Sequence, residues 1–216
     1  MCAQFQVELI KFQKSLAIFA LDLQSSSWKS RILPHLDAPV ILFKDEKYVI
    51  DLFHFSLIPI WSKVRKPKFA THNVRLETVL EKPTWRRPFL KNHCLVPMTA
   101  FIEPIYEGKF AGNMIRFELA ECVFVPAIFD SWEDKSTGEV IHSFSILTSE
   151  PGKFVRKIGH ERSPIFLKQN IKNLGNWFDF NKHDGNSFIE LLNKQYEPKM
   201  SVIIDRPLKK GWEKRK

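Results

Sequence analysis

The segment from Cys94 to Ile102 carries apolar side chains at almost every position, and it restricts the possible folds more than any other part of the chain. A continuous apolar run of this length is typical of a strand that is buried on both faces. Similar runs, rich in β-branched and aromatic residues, predict further strands at 47–53, 123–129, 141–148 and 201–204. A polar turn over 133–138 joins two of them, and residues 105–119 are predicted to form a hairpin.

Helical periodicity is confined to short segments between these strands. From Val74 onward the apolar side chains share one face until Pro83 ends the run, which predicts a helix. Two more helices are predicted, one starting near Pro151 with Phe154, Val155 and Ile158 on one face, and one running from an Asn186 cap to about Tyr196. Because strands and helices alternate without a regular strand–helix–strand repeat, the predicted fold class is α+β.

The chain is long enough to fold without disulfides or metals, since 216 residues bury a substantial core. We expect one domain over residues 1–205 and a mobile basic tail over 206–216. The three cysteines are too scattered for a disulfide framework, no apolar run reaches the length of a membrane span, and Lys11 and Lys14 interrupt the first apolar stretch. These features predict a protein of a reducing intracellular compartment without a signal peptide.

The formal net charge of +9 indicates an anionic partner, and phosphate backbones are the commonest polyanions that such a protein meets. The internal basic clusters interleave with Trp61, Phe69, Trp85 and Phe89. Cations that alternate with aromatic rings suit single-stranded nucleic acid, because phosphates pair with the cations and bases stack on the rings. The alternative is that the rings belong to the core and the cations are simply solvated.

Several common sites are absent from the sequence. There is no phosphate-binding glycine loop and no dinucleotide fingerprint among the eight glycines. No Cys or His pair has the local spacing of a structural zinc site, and the adjacency of His93 and Cys94 alone does not indicate a shared metal. We therefore expect neither a metal nor a cofactor.

Cys2 carries a distinctive chemistry if Met1 is removed, because the product is a 1,2-aminothiol. Its α-amine has an ordinary pKa of about 7.7–8.0, so a useful fraction is a neutral nucleophile at physiological pH. The amine can condense with an aldehyde to an imine, and the thiol can then close a five-membered thiazolidine ring with the advantage of an intramolecular reaction. DNA that has lost a base offers such an aldehyde at its open-chain sugar. On its own, a cysteine at position two is usually incidental.

Four further segments change this interpretation. They are Leu57-Ile58-Pro59-Ile60-Trp61, Asn73-Val74-Arg75-Leu76-Glu77-Thr78, Cys94-Leu95-Val96-Pro97 leading into Phe101-Ile102-Glu103, and Ile158-Gly159-His160-Glu161-Arg162-Ser163-Pro164. With Met1-Cys2 they follow the order and approximate spacing of the SOS response-associated peptidase (SRAP) family. The chain resembles that family from residue 1 to about residue 195.

The resemblance implies a protein that crosslinks to abasic sites in single-stranded DNA through its N-terminal cysteine, and also possible removal of its own Met1 and cleavage of abasic DNA. It implies a bifurcated, partly barrel-like sheet surrounded by helices, with the active site in a basic groove. The implied roles are Cys2 as nucleophile, Asn73 as its holder, Glu103 as general acid and base, His160 in sugar opening or proton transfer, and Arg75 on a phosphate. Trp61, Arg86, Arg87 and Arg162 are the other predicted DNA-binding residues.

Each of these residues also has a structural explanation that the sequence leaves open. Asn73 can cap the helix predicted after it, Glu103 can be a paired buried carboxylate, and His160 can interact with a helix dipole. The chain also departs from the family pattern: Ala3-Gln4 replaces Gly-Arg, His54 an Arg, Phe55-Ser56 Trp-Gly, Pro104 a Trp and Ser163 a Met. Residues 5–45 match poorly. These departures affect expected DNA contacts more than the proposed catalytic set.

Three functions follow as hypotheses. The leading one is a monomeric DNA-damage protein that forms a covalent link to abasic single-stranded DNA, located at the nucleoid in a bacterium or in the nucleus of a eukaryote. The second is a thiol peptidase that uses Cys2, His160 and a carboxylate. The third is a non-catalytic single-strand-binding module, whose binding would be salt-sensitive and indifferent to the lesion.

Overall fold

The computed structural model describes residues 4–23, 27–194 and 196–215. Cys2, the predicted nucleophile, lies outside the described residues, as does Ala3. The strands are β1 (Gln4–Gln6), β2 (Arg31–Ile32), β3 (Asp37–Lys44), β4 (Lys47–Phe55), β5 (Asn73–Arg75), β6 (His93–Ile105), β7 (Asn113–Glu133), β8 (Val140–Ser149), β9 (Ser163–Pro164) and β10 (Met200–Pro207). The α-helices are α1 (Leu9–Ser15), α2 (Pro83–Lys91), α3 (Lys153–Ile158), α4 (Ile171–Gly175) and α5 (Gly185–Asn193).

The strands form one ten-stranded sheet with the order β10-β7-β8-β4-β3-β6-β1-β2. A further pairing of β6 with β7 returns the sheet on itself, so part of it is ring-like. The ring does not become a regular barrel, because β3 meets β6 at only one residue pair and β4 meets β8 at two. Strands β5 and β9 both attach to β8 and lie off the main path. The predicted α+β class is therefore confirmed.

The core lies inside this curved sheet and is rich in aromatic rings. Phe101 on β6 and Phe117 on β7 stack with their ring centroids 4.6 Å apart, and both are fully buried. Trp177 is also fully buried and stacks on His93 at 3.5 Å, while its indole nitrogen donates to the Cys94 carbonyl oxygen. Burial of each such ring is worth about 1.5–3 kcal/mol. The core thus fixes β6, the strand that carries Glu103.

Most predicted strands are confirmed. The apolar run from Cys94 lies within β6, which continues into a hairpin with β7 as expected. The runs at 47–53, 141–148 and 201–204 lie within β4, β8 and β10. The helix expected near Pro151 is α3.

The helix predicted from Val74 is wrong. Residues Asn73–Arg75 form β5, which pairs in parallel with β8, and a short 3-10 turn follows at Leu76–Thr78. The α-helix begins at Pro83, because a proline fits the first helical turn, where its missing N–H has no partner to lose. Asn73 accordingly caps no helix, which removes the structural explanation that the sequence offered for it.

The predicted Asn186 cap is also wrong by two residues. The cap of α5 is Asp184, whose carboxylate accepts from the Ser187 peptide nitrogen at 2.8 Å. The Ser187 hydroxyl accepts in return from the Asp184 peptide nitrogen, which completes a capping box. Three strands and one helix before residue 45 were not predicted, and 3-10 turns complete the structure at 16–19, 108–110, 176–178 and 212–215.

The boundary between the domain and its basic tail at residue 205 stays a prediction, although the first residues of the expected tail contact the sheet. Strand β10 continues to Pro207, and Leu208 donates from its peptide nitrogen to the Gly112 carbonyl oxygen at 2.8 Å. Among the helices that the structure describes, none has the length and apolar character needed to cross a membrane.

Candidate active site

Glu103 and His160 meet near the end of β6. Their Oε2 and Nε2 atoms are 3.3 Å apart. Glu103 is completely buried, and the His160 side chain is only 11% exposed. Burial penalises either charge alone and strengthens the attraction between the two. The carboxylate and the imidazole can therefore exchange a proton with little competition from bulk water.

The His160 ring is oriented by the backbone of Arg162. Its Nδ1 lies 2.7 Å from the Arg162 carbonyl oxygen and 3.1 Å from the Arg162 peptide nitrogen. We assign the shorter contact as Nδ1–H donating to the carbonyl, which leaves Nε2 for the contact with Glu103. Nε2, the ring nitrogen that does not contact the Arg162 backbone, thus faces Glu103.

Gly159 brings this histidine into place. It ends α3 with a φ of +103°, a conformation that side-chain-bearing residues rarely adopt. A Cβ atom at this position would lie 2.8 Å from the Glu107 carbonyl oxygen and 3.3 Å from Ile105 Cγ2. The absence of a side chain therefore lets the turn pack against the end of β6, and His160 follows directly.

Arg162 holds the same turn from the other side. Its Nη2 lies 2.9 Å from Glu77 Oε2 and 2.9 Å from the Thr148 carbonyl oxygen, and the side chain is 15% exposed. Partial burial opposes ionisation of Glu77, but the Arg162 hydrogen bond, a backbone hydrogen bond and the charges of Arg162 and Arg75 outweigh it and lower the pKa of that carboxyl. The contacts of Arg162 with Glu77 and Thr148 stabilise the turn. The DNA contact expected of Arg162 stays a prediction.

Strand β5 positions Asn73 and Arg75. Its parallel ladder with β8 pairs Asn73 with Ile146 and Arg75 with Thr148. Asn73 is 6% exposed, whereas Arg75 is exposed to solvent. Because Arg162 contacts the Thr148 carbonyl, the ladder brings Arg75 to the side of the site where His160 is held.

A cavity of about 810 Å³ opens beside the Glu103–His160 pair. Its lining includes His160, Arg75, Pro104 and Tyr106. This volume is within the ordinary range of ligand sites. The lining carries three arginines and three glutamates, namely Arg75, Arg156, Arg162, Glu107, Glu150 and Glu161. The charges of this cavity are therefore balanced, although the resemblance implied a basic groove.

His72 is a candidate that the sequence analysis missed. It precedes Asn73, is partly buried, and packs edge-on against Phe55 with ring centroids 6.0 Å apart. Burial lowers the pKa of His72, and the negative charge of Glu103 partly opposes that shift. The only available signal was its adjacency to Asn73, because no local motif links it to Glu103.

The predicted stacking residues divide into two groups. Trp61 and Phe69 are 56% and 47% exposed, and their rings stack with centroids 6.2 Å apart and planes at 21°. Phe89 is instead fully buried and Trp85 packs against the core, so for these two the core interpretation is correct. The first group is a surface feature suited to stacking with bases.

Arg86 and Arg87 lie on α2, which leads into β6 at the end opposite Glu103. Ten residues of extended strand separate the two ends, or about 33 Å along the chain. Arg86 is exposed, whereas Arg87 Nη1 lies 2.8 Å from Oδ1 of the buried Asp130. The structure therefore does not bring these arginines to the Glu103–His160 pair, and their DNA contacts stay predictions.

The described cysteines are unsuited to act as nucleophiles. Burial raises the pKa of Cys94 well above its usual range and that of Cys122 to about 12. Burial also lowers the pKa of His93 to about 4, although two backbone carbonyls oppose the shift. No group of three His, Cys, Asp or Glu side chains within residues 4–23, 27–194 and 196–215 is arranged to hold a metal ion.

Solved structures share this fold. A protein from Bordetella bronchiseptica matches with a TM-score of 0.76 at 19% identity, over 95% of this chain and 100% of the other. A protein from Bacteroides thetaiotaomicron matches with a TM-score of 0.72 at 24% identity, over 95% and 92%. These likenesses establish the architecture.

Curated relatives carry one common description. The abasic site processing protein YoaM of Bacillus subtilis (strain 168) is 30% identical over 119 residues, which are 52% of this chain and 50% of the relative. The abasic site processing protein HMCES of Pongo abelii is 24% identical over 199 residues, which are 74% of this chain and 56% of the relative. The chain thus spans about half the length of the curated relatives it matches. The model of the SOS response associated peptidase (SRAP) family matches residues 1–204, and the chain belongs to this family.

Proposed function

We propose that this protein processes abasic sites in DNA by forming a covalent link between Cys2 and the sugar that has lost its base. The observation that carries the proposal is the buried Glu103–His160 pair beside an open cavity. The relatives are abasic site processing proteins, which supports the same substrate.

The first described residues support the use of Cys2. In the antiparallel ladder of β1 with β6, Gln4 pairs with Ile102, the neighbour of Glu103. Two peptide units separate Cys2 from Gln4, and two units reach at most about 7.6 Å. The covalent chain therefore permits the Cys2 amine to approach the Glu103–His160 pair.

The proposed reaction needs no oxidant or reductant. The neutral Cys2 amine adds to the C1′ aldehyde of the open-chain sugar, and loss of one water gives an imine. The Cys2 sulfur then bonds to the imine carbon while the thiol proton passes to the nitrogen, which gives a thiazolidine. Glu103 stabilises the cationic imine, and His160 exchanges protons with it through Nε2. Asn73 orients the amine, and Arg75 holds a neighbouring phosphate.

Strand cleavage is a second fate of the same imine, since proton loss at C2′ expels the 3′ phosphate. We assign this lyase reaction to the same residues as a competing outcome. The exposed Trp61–Phe69 stack favours a single-stranded substrate, because its rings can stack only on unpaired bases. We further propose that the protein acts as a monomer, at the nucleoid if it is bacterial or in the nucleus if it is eukaryotic.

The test is incubation with a single-stranded abasic oligonucleotide, followed by denaturing electrophoresis and intact mass measurement. We expect an adduct whose mass equals protein without Met1 plus oligonucleotide minus one water. Cys2→Ala abolishes it, whereas the matched Cys122→Ala retains it. His160→Gln and Glu103→Gln slow adduct formation by about 100- to 10,000-fold.

Other outcomes would reject the proposal in specific ways. Absence of an adduct, together with salt-sensitive binding that ignores the lesion, indicates a non-catalytic binding module. Cleavage of unrelated peptides without DNA indicates a thiol peptidase. An adduct that persists in Cys2→Ala shows that another nucleophile reacts.

A further inference from the structure

The segment 208–215 lies beyond the part of the chain that the family model matches, yet it is docked next to the cavity. The Trp212 ring covers Gly112, where a Cβ atom would lie 3.0 Å from its Cζ2 atom. The same ring lies 6.4 Å from the ring of Tyr106, which lines the cavity. A tryptophan therefore anchors the segment at the cavity edge.

The cavity itself offers few uncommitted cations. Arg156 pairs with Glu150 at 3.2 Å, and Arg162 pairs with Glu77 at 2.9 Å. Arg75 is the remaining arginine of the lining, and no described carboxylate lies within ion-pair distance of it. Because affinity for a single strand rises with the number of phosphates that cations neutralise, Arg75 alone would contribute only one such contact.

The docked segment supplies the missing charge. Lys209, Lys210 and Lys214 are exposed, and no described carboxylate lies within 4.0 Å of their amines. Arg206, in contrast, is paired with Asp205 at 2.7 Å. Each of these lysines lies within three residues of Trp212 in the sequence, so the docking of that ring limits how far its charge can move from the cavity edge.

We propose that segment 208–215 is a basic arm that binds the phosphates of single-stranded DNA next to the abasic site, with Trp212 as its anchor. Docking reduces the conformational entropy that binding would otherwise cost. Tyr106 and Trp212 are both half-buried, so the arm combines aromatic faces with cations, as single-strand-binding surfaces do. The inference rests on the proposed function in one respect, because that function identifies DNA as the molecule that enters the cavity.

The experiment measures binding of an undamaged 20-nucleotide single strand across a salt series. A triple change of Lys209, Lys210 and Lys214 to Gln removes three contacts and lowers the slope of log affinity against log salt by about 2. We expect affinity to fall about 10- to 100-fold at 0.1 M salt. Trp212→Ala keeps every charge but releases the arm, and it weakens binding about 3- to 10-fold through lost preorganisation.

The matched control changes Lys172, Lys182 and Lys194 to Gln, three exposed lysines near α4 and α5. It removes the same charge and leaves the slope nearly unchanged. Equal slopes for the two triple variants overturn the inference, as does unchanged binding by Trp212→Ala.

Crosslinking to a five-nucleotide abasic strand separates this inference from the proposed function. At saturating strand concentration the arm variants react at the wild-type rate, because the lysines affect the binding of phosphates and not the chemistry at Cys2. Loss of this short-strand adduct in the arm variants shows that the segment supports the fold or the chemistry instead, and it overturns the arm. If the triple lysine variant shows the lower slope but the wild-type protein forms no adduct, the arm is supported and the proposed reaction is refuted.

Discussion

Replacement of Gly159 by alanine is the sharpest test of how the Glu103–His160 pair is assembled. The new Cβ would lie 2.8 Å from the Glu107 carbonyl oxygen, so the turn or the end of β6 must shift by a few tenths of an ångström. The φ of +103° adds strain of about 1–3 kcal/mol for a residue with a side chain. Overpacking against fixed backbone adds about 1–3 kcal/mol. We expect Gly159→Ala to destabilise the protein by about 2–6 kcal/mol.

Gly138→Ala provides the matched control. Gly138 also has a positive φ, of +75°, but a Cβ there would meet no atom within 4 Å. Urea denaturation of both variants therefore separates conformational strain from steric displacement. We expect the Gly159 variant to lose about 1–3 kcal/mol more than the control.

Activity gives a second measurement on the same pair of variants. A shift at Gly159 moves His160 away from Glu103, so adduct formation with an abasic oligonucleotide slows even where the protein remains folded. Gly138 lies in the turn between β7 and β8, and its alanine variant reacts at the wild-type rate. If both variants lose the same stability and react equally fast, the close approach at Gly159 does not position His160.

Three further predictions concern residues around the sheet. Ser56 has a φ of +112°, so Ser56→Gly should relieve strain and raise the free energy of unfolding by about 1 kcal/mol in urea denaturation; a loss would refute this. Arg87→Ala leaves the buried Asp130 carboxylate without its cation, so thermal and chemical denaturation should show a loss of about 1–3 kcal/mol, whereas an unchanged stability would show that water replaces the pair. The pKa of Glu77 is lowered in the folded protein, so its pairing with Arg162 stabilises the fold above the ordinary pKa of 4.5 and is lost as pH falls through the lowered value. Glu77→Gln should therefore flatten the stability profile in that window, and an identical acid profile for both proteins would contradict this.

The strands were predictable where burial is dense. Strand β6 pairs with β3, β7 and β1, and its side chains are buried on both faces of the sheet. The run from Cys94 is therefore apolar at nearly every position. The helix prediction from Val74 was wrong because the apolar spacing of this segment fits a helix as well as a short strand followed by a 3-10 turn. Parallel pairing with β8, a contact remote in sequence, decides between them. The spacing of apolar residues within the segment carries no information about that contact.

The site was predictable as a set of residues but not as a geometry. Resemblance to the family singled out Glu103 and His160, while their 3.3 Å separation depends on the packing of Gly159 against Glu107. No feature of the sequence indicated that Arg162 would contact Glu77 instead of being free to bind DNA. Such contacts arise between elements that meet only in the folded chain.

The pairing of β1 with β6 has a consequence for the order of events during synthesis. Residues 4–6 hydrogen-bond to residues 100–102, so the ladder closes a loop of almost half the chain. Contacts so distant in sequence carry a large loop-closure cost and cannot form until the later strand has been made. A nascent N-terminus therefore leaves the ribosome long before its partner strand exists. Under the proposed function, an aminopeptidase would have this interval to remove Met1 while residues 4–6 are still unpaired.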